Sequence, residues 1–184
     1  RLYEPSYNIL FVLTGIPQIL LMLYLVYLRN ESKNHGLKFA FASNVPAFIV
    51  AIAGIVAVSF PVSLLGGLVG AENSFMSEST PDVPTLLLPL VACTCLVTGY
   101  REELLFRSML INGLAQSGLD TAPSVLISTA LFSVGHIYQG LLPFIGSFLI
   151  GLFLAWHFIR FRSLHAISIA HGIYNFSILM LVSA

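Results

Sequence analysis

Apolar runs of about twenty residues follow one another along nearly the whole chain, the length a helix needs to cross the hydrocarbon core of a bilayer. Of 184 residues, 57% are hydrophobic and 9% charged, where an ordinary soluble domain carries roughly a quarter charged. The first run covers residues 7–28, with Pro17 as an expected kink, and a polar joint follows with Arg29, Asn30, Glu31, Lys33, Asn34 and Lys38. A second starts at Phe39 and reaches about residue 60, where Pro61 and glycines 66, 67 and 70 predict a broken or re-entrant outer part. Residues 71–84 are polar and acidic and read as an exposed loop. Residues 85–117 lack a strong breaker after Pro89 and predict one long helix. Gly118, Asp120 and Pro123 then mark a turn and a helix start, leading into a span over 121–138 that Gln139-Gly140 ends. A fifth span covers 142–159, a joint of Arg160, Arg162 and Ser163 follows, and a sixth span starts at Leu164. The expected fold is all-α, a polytopic membrane bundle of about six transmembrane helices forming one domain over 1–184.

Eight basic and eight acidic residues cancel, which suggests neither nucleic acid nor an acidic surface partner. The chain begins at Arg1 rather than a methionine, so no leader pattern is read from its start. Cys93 and Cys95 lie two apart in an apolar run, a spacing that suits neither a disulfide within a helix nor a zinc framework. They are expected to be small core or lipid-facing residues. With six spans, the basic joints after the first and fifth fall on one side and the acidic loop on the other. Lysine and arginine mark the cytoplasmic side, which places both joints there and both termini outside.

Ionisable side chains inside apolar spans are costly, at about 2.5 to 3.5 kcal/mol on insertion scales, and usually face one another. Three clusters of this kind stand out: Glu102-Glu103 with Arg107, Phe132 with His136, and His171 with Asn175. Residues four apart share a helix face, so Glu103 and Arg107 can pair within one helix while Glu102 turns to another neighbour. The same spacing sets Phe132 with His136, and His171 with Asn175. If the turn between the third and fourth spans centres near residue 119, Glu102 and His136 lie equally far from it and at matching depth. His171, about eight residues past the 162–163 joint, would be shallower by roughly 13 Å at 1.5 Å per residue, which tilt or a deeper last hairpin must absorb. Gly135 and Gly172, each beside a histidine, would permit close helix approach. His35, His157 and His165 lie at joints or near a helix end and read as hydrogen-bonded structural residues.

Glu-Glu-x-x-x-Arg, Phe-x-x-x-His and His-x-x-x-Asn, in that order on successive membrane helices, resemble the CPBP family of intramembrane proteases. That family includes the type II CAAX prenyl endopeptidases and many bacterial relatives, some linked to bacteriocin self-immunity. The resemblance covers about residues 86–182, the catalytic core, and the stretch Gly-Leu-Phe-Leu-Ala-Trp at 151–156 also looks like the family's segment ahead of its last motif. The first two spans carry no signature. The resemblance implies an integral, multi-pass protein of a bacterial or archaeal cell membrane. It also implies hydrolysis of a peptide bond near the C-terminus or membrane boundary of a membrane-associated substrate. Glu102 would act as general base on a water with help from His136, and His171 and Asn175 would polarise the scissile carbonyl. Glu103, Arg107 and Phe132 would support them.

Two alternatives stay open on sequence. The site could instead hold a divalent metal such as zinc on Glu102, His136 and His171, since two histidines and a carboxylate leave an open fourth position. The helical His-Glu-x-x-His motif is absent, and a cofactor-free mechanism is favoured. The chain could also be a non-catalytic membrane immunity or scaffold protein with the same fold. A transporter fits less well, because no internal repeat or paired broken helices are found.

Overall fold

In hydrocarbon no water is available to a free backbone N–H or C=O, so a spanning chain satisfies these groups internally by coiling into helices. A computed structural model describes residues 4–28, 35–68 and 83–182, and the described chain is helical almost throughout. Helices α1 (Pro5–Leu28), α2 (Phe41–Leu68), α6 (Leu141–Phe161) and α7 (Leu164–Leu181 within Leu164–Val182) are each long and apolar enough to cross a membrane. Between them, a 3₁₀ turn at Thr85–Leu87 leads into α3 (Leu88–Glu103), a π-helical stretch at Leu104–Leu110 and α4 (Ile111–Gln116). Helix α5 (Thr121–Val134) ends in a second 3₁₀ turn at Ile137–Gln139. The fold is an all-α membrane helix bundle, as the spacing of apolar runs predicts.

Two boundaries differ from expectation. Helix α2 runs straight on through Pro61 to Leu68, with Pro46 also inside it. Membrane helices tolerate proline when neighbours satisfy the freed backbone group, so proline is a weaker stop signal here than in water. Helix α5 stops at Val134, four residues early, and the chain reaches His136 in a turn instead of mid-helix. The basic residues at 29–33 and most of the acidic loop lie outside the described residues.

Packing follows small residues. Ala47, Ala51 and Ile55 form a fully buried stripe on α2, four residues apart, which lets neighbouring backbones approach. The α2 stripe meets α6 and α7; α7 lies between α2 and α3, and α5 joins α6 to the π stretch and α4. These elements close on a core of Leu104, Ile150, Leu154, Phe158, Leu164 and Ile167. Helix α1 packs on the outer side of α3. Large apolar side chains cover the rest of the surface, including Leu13, Leu20, Phe60, Leu64, Leu131 and Trp156, as a lipid-facing exterior requires. Cys93 is exposed and Cys95 buried, both as free thiols.

The ends of the two basic joints meet. Gly36 accepts a hydrogen bond from the Leu164 amide at 3.0 Å, Leu37 carbonyl lies 3.1 Å from His165 Nε2, and Ser163 donates to Asn44. Residues 35–38 and 162–165 therefore lie at one end of the bundle, the arrangement that an even number of crossings between them produces.

Candidate active site

The first motif sits where the helix changes pitch. Helix α3 ends in Tyr100, Arg101, Glu102 and Glu103, and the next seven residues wind as a π-helix. Wide turns of this kind are rare and cluster at functional sites. Side chains from outside the ladder support this one. Ser128 of α5 donates to the Phe106 carbonyl at 2.6 Å, and Asn112 donates to the Ser108 carbonyl at 2.6 Å. Nothing in hydrophobic periodicity marks such a stretch, so an uninterrupted α-helix over 85–117 was the expectation the sequence supported.

Glu103 is wholly buried and is the hub of the site. Its Oε2 lies 3.2 Å from Arg107 Nε, the pair expected from the four-residue spacing. Its Oε1 lies 2.8 Å from His171 Nδ1. A carboxylate can only accept, so Nδ1 carries the proton and Nε2 is the imidazole's other face. That Nε2 lies 3.9 Å from Glu102 Oε2. Glu102, His171, Glu103 and Arg107 thus form one continuous chain of charged and polar groups across α3 and α7.

Phe132 ties the second motif to it. The Arg107 guanidinium lies 4.1 Å over the Phe132 ring, a cation–π contact that gains strength away from water. The same ring is 4.8 Å from the His136 ring and 6.0 Å from that of His171, centroid to centroid. His136 Nδ1 is 3.0 Å from the Phe132 carbonyl. That acceptor fixes the tautomer of a neutral His136, with the proton on Nδ1 and the lone pair on Nε2. The structure therefore gathers Glu102, Glu103, Arg107, Phe132, His136 and His171. Asn175 stands one turn beyond His171 on α7, half-buried, and the described residues offer its side chain no hydrogen bond.

The depth of His171 is set by the α6–α7 turn. Arg162 Nη1 donates to Asn112 Oδ1 at 3.1 Å. Nine residues separate Asn112 from Glu103, and nine separate Arg162 from His171, so similar numbers of residues run from that tie to the hydrogen bond. Asn112 is itself seven residues, about 10 Å, inside the 119 turn. The last hairpin thus sits deeper than the third–fourth turn, which accounts for most of the 13 Å mismatch.

Glycines bring α3 and α7 together. A Cβ on Gly172 would lie 2.9 Å from Leu96 Cα, and one on Gly99 would meet the Ser168 carbonyl and lie 2.9 Å from the Gly172 nitrogen. Gly172 thus allows the close approach expected of it. Gly135 does not: it is exposed, and a Cβ there would meet only the Phe132 carbonyl of its own helix. Gly151 of α6, the first residue of the 151–156 stretch, would place a Cβ 3.4 Å from Arg107 Nη2 and 3.2 Å from the Phe132 ring. Gly99 and Gly151 are the site residues that sequence reasoning missed or left without a role. A lone glycine in an apolar helix carries no sign of what it faces.

The remaining histidines are structural. His35 Nδ1 bonds Ser108 Oγ at 2.8 Å, and His157 Nε2 donates to the Ala47 carbonyl at 2.8 Å. His165 bridges the Leu37 carbonyl and Tyr100 Oη, each at 3.1 Å.

A cavity of about 380 Å³ opens beside Glu102. One wall is Gln18, Leu21 and Met22 of α1; the other is Arg101, Glu102, Leu105 and Phe106. Its size lies within the range of small-ligand sites. Glu102 keeps 20% of its side chain exposed, whereas Glu103 keeps none. Of the two carboxylates, only Glu102 is placed to meet water or substrate.

Among the described residues no three His, Cys, Asp or Glu side chains converge on a common point. The Glu103 carboxylate beside the site is already engaged by Arg107 and His171.

Residues 84–177 match the family model described as type II CAAX prenyl endopeptidase Rce1-like. The chain belongs to that family, and at the family level it is an intramembrane protease. The match spans all three motifs and α3 through most of α7. No curated protein and no solved structure matches the chain.

Proposed function

We propose that the chain is an endopeptidase that cuts near the C-terminus or membrane boundary of a membrane-associated peptide, using a water activated by Glu102. The observation that carries this reading is the division between the two glutamates. Glu102 opens onto the cavity, and Glu103 behind it holds His171 in place. We take residues 86–182 as the catalytic core and a bacterial or archaeal cell membrane as its setting.

In this mechanism Glu102 accepts a proton from water as the oxygen attacks the scissile carbonyl carbon, with the His136 Nε2 lone pair assisting. The carbonyl oxygen becomes an oxyanion. The Asn175 amide donates to it together with the Nε2–H of His171, whose second proton is taken from solvent before the attack and kept throughout, and Glu103 pairs with that imidazolium. Collapse of the tetrahedral intermediate breaks the C–N bond, and the proton held by Glu102 passes to the departing amine. Glu103 and Arg107 do not touch the substrate and act as positioning residues. The convergence a metal would need is lacking around Glu102, His136 and His171, which supports the glutamate route over the metal one.

The test is cleavage of a quenched C-terminal peptide library in detergent by wild type, Glu102→Ala and His136→Ala, each with and without a strong zinc chelator. Removal of a general base costs about 10²- to 10⁴-fold in rate. The expected result is a loss of that size in both variants and no effect of chelation on wild type. Cleavage that persists in Glu102→Ala would overturn the mechanism, and a non-catalytic immunity or scaffold role would show as a phenotype unchanged by that substitution.

A further inference from the structure

The cavity holds a cation that catalysis does not use. Arg101 lines it directly beside Glu102, at a depth where charged side chains are expected to be paired. Arg107 has Glu103. Arg101 has no carboxylate partner among the described residues. Its recorded contact is with α1, where the guanidinium lies 4.6 Å over the Phe11 ring. Stacking on a ring engages the face of the guanidinium and leaves its edge free. That edge is a planar fork of N–H donors whose spacing matches the two oxygens of a carboxylate.

We propose that Arg101 is a specificity-determining residue that binds the free α-carboxylate at the C-terminus of the substrate. The α1 wall of the cavity would form the bed for the last residues. This inference rests on the peptidase reading above. An enzyme that cuts a few residues from a chain end needs a way to measure from that end, and the natural mark of the end is its negative charge. Arg101 and Glu102 are consecutive on one helix and point about 100° apart, so anchor and base are separate but close. Three extended residues span about 10 Å, and the cavity between α3 and α1 has a volume of about 380 Å³ to receive them. The wall opposite is suited to the intervening side chains, with Leu21 and Met22 apolar and Gln18 offering an amide to the peptide backbone.

The experiment uses the full chain in detergent and a matched pair of fluorescent probes. Each is an S-farnesylated Cys-Val-Ile-Met peptide, one ending in a free carboxylate and one in an amide. Binding is read by anisotropy in a Glu102→Gln background, where turnover does not interfere. The free acid is expected to bind roughly 10- to 100-fold more tightly than the amide, the range of one charge-assisted hydrogen-bonded contact. Arg101→Gln should abolish that preference and Arg101→Lys should keep part of it. Leu21→Trp, on the lipid-exposed helix opposite, should weaken both probes by filling the bed. Equal binding of acid and amide, a preference that survives Arg101→Gln, or binding of neither probe would each overturn the assignment. Equal binding is also the outcome if Arg101 serves only to contact lipid headgroups. Failure of the peptidase reading shows elsewhere, as wild type that leaves both probes uncleaved while the free acid still binds more tightly than the amide.

Discussion

At the scale of single residues, Glu103 forms an ion pair with Arg107 through one oxygen and accepts a hydrogen bond from His171 on the other, with no exposure to water. Removing one member of a buried charge pair leaves the other uncompensated and costs about 3–5 kcal/mol, whereas replacing both with apolar groups of similar size is often neutral. Glu103→Gln should therefore lower stability by about that amount, read as a drop in thermal midpoint in detergent. The double variant Glu103→Gln/Arg107→Met should recover most of the loss. Its kcat should stay low with KM near wild type, because His171 has lost the carboxylate that orients it. Recovery of kcat along with stability would show that the pair is a staple and nothing more. The pair itself was legible from a four-residue spacing, as was the choice of Glu102 to face elsewhere. The tie from Glu103 to His171 was not, because it joins helices 68 residues apart, and no local pattern records which carboxylate a distant imidazole will choose.

At the scale of elements, the site depends on how closely α7 can lie against α3. Gly172→Ala puts a methyl group against the Leu96 and Cys95 backbone, which cannot rotate aside as a side chain can. Overpacking of this kind typically costs about 1–3 kcal/mol. The variant should melt lower and turn over more slowly, since widening the crossing lengthens the bond from His171 to Glu103. An unchanged melt and kcat would mean the helices have room to spare. Elements were legible where apolar length set them, as in α1, α6 and α7. They were not where tertiary contacts overrode local signals: α2 continues past Pro61, α5 stops short of His136, and the motif helix widens where Ser128 and Asn112 hold its carbonyls. Likewise, the tie between Arg162 and Asn112 sets the register of the last hairpin, a long-range contact that counting from turns could not supply.

At the scale of the whole molecule, the meeting of residues 35–38 with 162–165 puts both joints at one end of the bundle, and the positive-inside rule predicts that this end is cytoplasmic. Lys38 and Arg160 are both exposed, and Tyr138 lies exposed in the turn between α5 and α6. In a Cys93→Ser/Cys95→Ser background, Lys38→Cys and Arg160→Cys should react with a membrane-impermeant maleimide only after the cells are opened. Tyr138→Cys should react in intact cells. The reverse pattern would invert the topology, and labelling of all three from one side would refute six crossings.

Helix α1 forms one wall of the cavity yet buries only Asn8, Gly15 and Val26 of its 24 residues, while the proposed catalytic groups lie on elements packed against one another. What α1 borders most is lipid, and a helix in that position answers to the thickness of the bilayer by tilting. On the proposed mechanism, arrival of substrate and breaking of the bond belong to parts of the chain with different sensitivities. Reconstituted in vesicles of increasing acyl-chain length, the protein should show kcat/KM that changes with the host membrane while kcat holds steady. The composition of the surrounding membrane would then regulate which substrates reach the site without altering the chemistry inside it.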